Sequence, residues 1–379
     1  MVKIPKHVEN LKPYRAGKPI DELRREKNLD KIVKLASNEN PLGPSPKAAE
    51  VISNSLNEIH RYTDPLNHKM TVAFSTKLKI QPEHIIFGHG TDSLLADIIN
   101  AFSVQGDELL TSAGTFIGIF VNVRKLGRTL KTVPMKNYGY DLEAIKEAIT
   151  DKTKMIYLAN PNNPTGSMIT INEFESFMEF VPDDILVILD EAYYAYAEEF
   201  ADYPDGLRYN FDNMVVTRTL SKIYGLGGMR VGFAVGPQRL ISTLKKIRLP
   251  FEPNILSQEA AIAALDDKEF REATVKLNRK EINKMIAFFE EMEIEYVKPF
   301  GNFVMLVLES EETAVKFFEA CLNKGLIVRH VAAFGVPNGI RINSGTKEET
   351  DFALQVIEEI YPEIMKKNDK ETINETGVL

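Results

Sequence analysis

From Ile85 onward, short apolar runs alternate with amphipathic stretches, and this alternation limits the possible folds more than any other feature of the chain. Runs such as Leu186–Asp190 are apolar at almost every position, as expected of strands buried on both faces in a parallel sheet. Seven strands are predicted, at residues 85–87, 108–111, 129–134, 155–159, 186–190, 214–217 and 231–234. Between and after them, helical periodicity predicts helices at 93–102, 115–125, 142–149, 171–180 and 237–246. The pattern is that of an α/β fold around a large, mainly parallel seven-stranded sheet. Ligands of such sheets bind at the carboxyl ends of the strands, and the unusual residues of this chain follow those ends.

The flanking sequence divides the 379 residues further. Residues 1–37 mix charges with Pro5, Pro13, Gly17 and Pro19 and read as an arm laid on another surface, with a short helix at 20–27. A loop dense in prolines and amides follows at 35–46, then helices near 47–59 and 70–78. Residues 257–293 read as helical, with 277–292 long enough to bridge two domains. Strands at 296–297, 303–308, 326–328 and 339–343, with helices at 311–323 and 347–367, form a smaller α/β unit. The expected division is an arm at 1–37, a large domain at 38–277, a small C-terminal domain at 278–367 and a disordered polar tail at 368–379.

Composition removes several function classes. Cys321 is the single cysteine, which excludes intrachain disulfides, CxxC redox chemistry and cysteine-rich zinc sites. The six histidines show no ligand spacing, so no metal site is expected. A net charge of −8 without a basic block argues against nucleic acid and acidic membrane as partners, and no apolar run reaches membrane or signal length. A soluble cytoplasmic protein is expected, whose anionic ligands are met by locally placed arginines. His89 beside Asp92 and Ser93 offers the residue types of a nucleophilic triad, but no GxSxG elbow accompanies them.

Four stretches carry residues suited to chemistry. In Thr219-Leu220-Ser221-Lys222, an amine among hydroxyls and apolar neighbours can be desolvated into the nucleophilic range. The glycine-rich loop after it leads to Arg230, whose planar fork suits a phosphate. Lysine and phosphate cradle together suggest pyridoxal phosphate, against the plainer reading of a solvated lysine in a glycine turn. Gly88-His89-Gly90-Thr91-Asp92-Ser93 joins a strand to a helix and suits either a phosphate on the helix amides or simple capping by Thr91 or Asp92. Asn160 to Gly166 projects amide side chains from a proline-stiffened strand end, and Asn163 can meet a ligand oxygen. Asp190 ends a buried strand and therefore needs a cationic partner, either a protonated pyridine nitrogen or, less well supported without a Walker A motif, a magnesium ion. Tyr193 stands three residues on.

In their order and spacing these four motifs resemble those of the fold-type I pyridoxal-phosphate aminotransferases, the aspartate aminotransferase-like transferases, over about residues 8–362. Within that family the chain is most similar to the branch acting on histidinol phosphate. The resemblance implies that Lys222 joins the aldehyde of pyridoxal 5'-phosphate and shuttles the substrate proton, and that Asp190 pairs with the pyridine nitrogen. It implies that Asn163 and Tyr193 hold the phenolate oxygen, that Phe116 stacks on the ring, and that Gly90, Thr91, Asp92, Thr219, Ser221 and Arg230 form the phosphate side. Tyr62 matches a residue that reaches the neighbouring subunit's cofactor, which implies a homodimer with shared active sites. Tyr14, Arg329 and Arg341, with Asn40 nearby, would bind a phosphorylated substrate. Gly114, Thr63 and Ser93 depart from the family pattern and bear on the substrate side rather than on catalysis.

The expected reaction is reversible transamination between histidinol phosphate and 2-oxoglutarate, giving imidazole-acetol phosphate and glutamate. Aromatic amino and keto acids are the first alternative, because a pocket for a flat ring with an anion serves both. A phosphothreonine decarboxylase and a non-catalytic regulatory module on the same scaffold are the others.

Overall fold

The computed structural model describes residues 2–11 and 17–376, with side-chain surroundings through Met365. Its main sheet has seven strands, in the spatial order Ile85–Gly88, Gly232–Val235, Met214–Thr219, Leu186–Asp190, Thr153–Ala159, Glu108–Ser112 and Thr129–Val133. The five from Met214–Thr219 to Thr129–Val133 run parallel, and Gly232–Val235 lies antiparallel to both of its neighbours. Side chains alternate between the faces, and both faces are buried. Met155, Tyr157, Leu186 and Ile188 join one apolar cluster, while Ile156, Leu158, Val187 and Leu189 join the other.

All seven strands expected from the sequence are present, with ends shifted by a residue or two. The expected strand at 231–234 begins at Gly232 instead, because Arg230 before it is left-handed, with φ of 52°. The helix expected at 115–125 starts at Ile117, with Phe116 taking the position just outside its first turn. A longer correction concerns the bridging helix, which runs from Lys268 to Glu291 because the Asp267 side chain caps it through the Phe270 N–H. The last helix continues to Thr376, past the expected end at Lys367 and through residues expected to be disordered, since neither proline nor glycine interrupts that stretch. No described helix is long and apolar enough to cross a membrane.

A second sheet of four antiparallel strands orders Arg329–His330, Gly339–Asn343, Phe303–Val307 and Tyr296–Val297. The strand expected at 326–328 divides at Val328. Leu326–Ile327 pairs in parallel with Val33–Lys34 from the arm, and Arg329–His330 turns to the four-stranded sheet. The arm is thereby stitched in register: the Val33 N–H donates to Gly325 O at 2.9 Å, and the Leu35 N–H to Ile327 O at 2.9 Å. Leu35 O in turn accepts from the Asn343 N–H at 3.0 Å. The next residues, Ala36 to Asn38, are carried to the carboxyl edge of the main sheet.

Gly325 makes this crossing possible. Its φ is +81°, and a Cβ there would stand 2.3 Å from Lys31 O. Gly325→Ala is expected to lower the urea unfolding free energy by at least about 1 kcal/mol and to reduce activity by displacing Ala36–Asn38. An unchanged unfolding midpoint would count against this role for the crossing.

Candidate active site

A cleft of about 170 Å³ opens at the carboxyl edge of the main sheet. Strand ends and the loops after them supply its walls. Ile85–Gly88 leads to Gly90, Thr91 and Asp92; Thr153–Ala159 leads to Pro161 and Asn163; Leu186–Asp190 leads to Ala192 and Tyr193; Met214–Thr219 leads to Ser221, Lys222 and Arg230. Phe116 and Tyr157 complete the lining. Of the cofactor-side residues expected from the sequence, only Tyr62 lies elsewhere. It is 83% exposed and stacks on Phe251 with ring centroids 4.5 Å apart, away from the cleft of its own chain.

Lys222 is the amine of the cleft. Burial, reinforced by the nearby Arg341 charge, lowers its pKa to about 8, so an appreciable fraction is neutral in mildly alkaline solution. Its Nζ donates to Ser37 O at 3.2 Å, which aims the amine with a main-chain acceptor from the arm. Asn40, expected on the substrate, is occupied otherwise. Its amide donates to Lys222 O at 3.3 Å, Ile223 O at 3.0 Å and Thr274 Oγ1 at 3.2 Å, so it fixes the loop that carries the lysine.

Asp190 and Glu191 are adjacent buried acids with different fates. Glu191 Oε2 receives Arg218 Nε at 2.8 Å and Nη2 at 2.7 Å, and Arg218 also reaches Asp205 Oδ1 at 2.6 Å. Asp190 has no basic side chain within salt-bridge distance among the described residues, and it receives the Tyr157 hydroxyl at 2.7 Å and the Ala192 N–H at 3.2 Å. Burial pushes its pKa up to about 6, against the Tyr157 hydrogen bond that pulls it down. A buried, ionisable carboxylate that faces the cleft with no basic side chain paired to it fits a ligand that brings a cation.

The opposite end suits an anion. The helix Gly90–Phe102 begins without any side-chain cap, so neither Thr91 nor Asp92 satisfies its first amides, which remain directed out of the helix end. Arg230 lies over this end, 3.6 Å from Asp92 Oδ2 and with Nη1 bonded to Gly227 O at 3.3 Å. Only glycine fits at position 90, where φ is +72° and a Cβ would stand 2.7 Å from Arg230 Nη2. Thr219 Oγ1 accepts from the Ser221 N–H at 3.1 Å, which sets the hydroxyl turn below the arginine.

Donors between the two ends are oriented by neighbours. Arg341 Nη1 donates to Asn163 Oδ1, which leaves the Asn163 NH2 group as the donor for the cleft. Asn38 Nδ2 donates to the Tyr193 hydroxyl at 2.7 Å, which frees the phenolic proton for another acceptor. Arg341 Nη2 donates to Ala36 O at 2.7 Å, and Arg341 stands opposite Arg329 in the strand register. Both guanidiniums lie 5.6 Å from the Phe334 ring. Tyr14 lies outside the described residues. Three site features escaped the sequence reading: Tyr157, Asn38 and the Ser37 carbonyl. A tyrosine inside an aliphatic strand needs a partner for its hydroxyl, and that signal was available; the other two depend on the path of the arm.

The family description of class I and II aminotransferases matches residues 30–357. The chain belongs to that family. It is 39% identical to histidinol-phosphate aminotransferase 2 of Haemophilus influenzae (strain 86-028NP) over 346 residues, 91% of this chain and 94% of that protein. It is 41% identical to the protein of the same name from Hydrogenovibrio crunogenus, over 93% of this chain and 95% of the relative. The crystal structure of histidinol-phosphate aminotransferase from Sinorhizobium meliloti in complex with pyridoxal-5'-phosphate is similar with a TM-score of 0.87 and 26% identity, covering 97% and 98% of the two chains. An aspartate aminotransferase from Thermus thermophilus, at 20% identity and a TM-score of 0.80, shares the fold over 94% of this chain and 99% of its own. The fold is therefore the aspartate aminotransferase-like, fold-type I architecture expected of an aminotransferase.

The folded pKa of Asp190 lies above its ordinary value of 3.8, so the charged form costs stability as pH rises through about 6. A shift of that size corresponds to roughly 3 kcal/mol at neutral pH. Asp190→Asn removes this cost, and the cofactor-free variant is expected to melt higher than the unsubstituted protein above pH 6, with the difference shrinking toward pH 4, while activity falls at least about 100-fold. A melting difference that does not vary with pH would contradict the assignment.

Proposed function

We propose that this chain is a pyridoxal-5'-phosphate-dependent transaminase that exchanges an amino group between histidinol phosphate and 2-oxoglutarate, giving imidazole-acetol phosphate and glutamate. The observation that carries the reading is the pair Arg329 and Arg341, facing each other across neighbouring strands beside a buried amine with a depressed pKa. Two guanidiniums suit a phosphate dianion, and the relatives' names point to the same substrate class. Aromatic keto acids remain the competing substrates, since Phe334 and Phe303 flank Arg341.

Bound pyridoxal phosphate supplies an aldehyde that can carry the amino group and a ring that withdraws electrons from the substrate carbon. The chain's own residues would do the rest. Lys222 Nζ would hold the cofactor and serve as the proton carrier at that carbon, a task that suits a pKa of about 8. Asp190 holds the cationic ring nitrogen, which meets the charge requirement that no side chain meets. The Asn163 NH2 group and the Tyr193 hydroxyl would be the donors to the cofactor's ring oxygen, and Phe116 would pack against the ring. The Gly90 and Thr91 amides, the Thr219 and Ser221 hydroxyls and Arg230 hold the phosphate, with Asp92 orienting Arg230. Tyr14 would join Arg329 and Arg341 on the substrate.

The reading includes a homodimer in which Tyr62 completes the partner's phosphate site. Leu56, Ile59, Tyr62 and Leu66 are all more than half exposed, and Phe251 beneath Tyr62 is partly so, an apolar surface of the kind a second copy would cover.

Acceptor profiling with glutamate as donor tests the substrate: imidazole-acetol phosphate should exceed phenylpyruvate in kcat/KM. Arg329→Gln is expected to raise KM for histidinol phosphate roughly 10- to 100-fold while leaving cofactor uptake unchanged. Higher efficiency with phenylpyruvate, or an Arg329→Gln variant with unaltered KM, would assign the enzyme to aromatic substrates. For the dimer, mixing Tyr62→Phe with Lys222→Ala subunits should create hybrids with one doubly defective and one intact site, giving more activity than the average of the parents. Strict averaging after exchange would mean that sites are not shared.

A further inference from the structure

Asp190 is held by a neighbour that none of the sequence motifs contains. Tyr157 stands within the strand Thr153–Ala159, its side chain fully buried in the apolar cluster on one face of the sheet, with Ile188 opposite it on the neighbouring strand. Thr111 Oγ1 ties the Tyr157 carbonyl at 2.7 Å, which fixes the strand at that point. The tyrosine hydroxyl emerges at the cleft, 2.7 Å from Asp190 Oδ2. A ring enclosed in this way cannot swing its hydroxyl elsewhere, so the O–H has one orientation and one charged acceptor.

The Thr217 hydroxyl and the Ala192 N–H also favour the charged form, and the rest of the surroundings favour the neutral acid. Burial disfavours the charge, and Asp92 at the start of the neighbouring helix adds repulsion. Tyr140 and Tyr193 also face the carboxylate, and both are themselves held in the neutral form by burial. Arg218, the cation in the same pair of strands, points to the opposite face of the sheet and is committed to Glu191 and Asp205.

We propose that Tyr157 is a positioning residue that keeps Asp190 ionised and aims its carboxylate, so that Asp190 can hold a protonated ring nitrogen. The cofactor's identity in this statement rests on the proposed function; the coupling between Tyr157 and Asp190 does not. An O–H donor stabilises the carboxylate and not the acid, so its removal shifts the balance toward burial and Asp92, with only the Ala192 N–H and the Thr217 hydroxyl left to oppose them. With Tyr157 absent, the proton would remain on Asp190 and the ring nitrogen would lose its charge.

The carboxyl ¹³C signal of Asp190, followed across the acid and neutral range in the cofactor-free protein, reads the coupling directly. Its midpoint should lie near 6 in the unsubstituted protein and rise by roughly one to two pH units in Tyr157→Phe. Tyr196→Phe, which removes a hydroxyl from another buried ring, should leave the midpoint in place. Replacing Tyr157 by a ring-fluorinated tyrosine, a stronger donor of the same shape, should lower it, and this variant decides the matter if Tyr157→Phe does not fold. In the loaded enzyme, ¹⁵N-labelled pyridoxal phosphate should report a ring nitrogen moved from the protonated toward the neutral position in Tyr157→Phe, with kcat reduced more than KM is raised. An unmoved Asp190 midpoint overturns the proposal. A protein that takes up no pyridoxal phosphate overturns the functional reading instead, and the ¹³C titration still decides the role of Tyr157.

Discussion

A carboxylate buried at the end of a parallel strand, without a cation of its own, is the constraint around which the cleft is arranged. Asp190 and Glu191 are neighbours in sequence, but the two-residue period of a strand sends them to opposite faces of the sheet. On one face Glu191 is neutralised by Arg218 and braced by the Tyr203 hydroxyl at 3.1 Å and the Gly206 N–H at 2.8 Å. On the other face Asp190 has only hydrogen-bond donors, so the protein carries a standing electrostatic cost at neutral pH. Such a cost is tolerated where function requires it, because replacing the acid relieves the fold while removing the partner of the ligand's positive charge.

The same economy governs the cations. The chain is acidic as a whole, at −8, but Lys222 and Arg230 line one cleft, Arg341 bonds the Asn163 side chain at its wall, and Arg329 stands on the strand beside Arg341. Arg341 serves two ends: it turns the Asn163 amide toward the cleft and depresses the affinity of Lys222 for its proton. A substrate anion that engages Arg341 would screen its charge from Lys222.

Main chain from the arm binds the two sheets into one site. Val33 and Lys34 pair in register with Leu326 and Ile327, and the carbonyls of Ala36 and Ser37 accept from Arg341 and Lys222 respectively. Asn38 then secures Tyr193, and its backbone N–H rests on the Asn343 side chain at 3.1 Å. A short segment of no obvious chemistry thereby sets the positions of an arginine, an amine and a phenol. Main-chain carbonyls suit the role because their direction is fixed by the backbone and not by rotamers.

The sequence by itself determined the seven-stranded sheet, since continuous apolar runs separated by amphipathic ones can be buried in few other ways. It also determined which residues meet at the cleft, because in a parallel sheet everything that follows a strand's carboxyl end gathers on one edge: Gly90, Asn163, Asp190 and Lys222 are far apart in the chain and adjacent in the fold. What it left open was every partnership across strands or from the arm. Tyr157 reads as one more apolar strand residue until the register sets its hydroxyl against Asp190, and Asn40 reads as a ligand-binding amide until the path of the loop shows its hydrogen bonds spent on Lys222 and Ile223. Periodicity is a local property and survives in one dimension; the choice of hydrogen-bond partner depends on register and chain crossing, which only the tertiary structure decided.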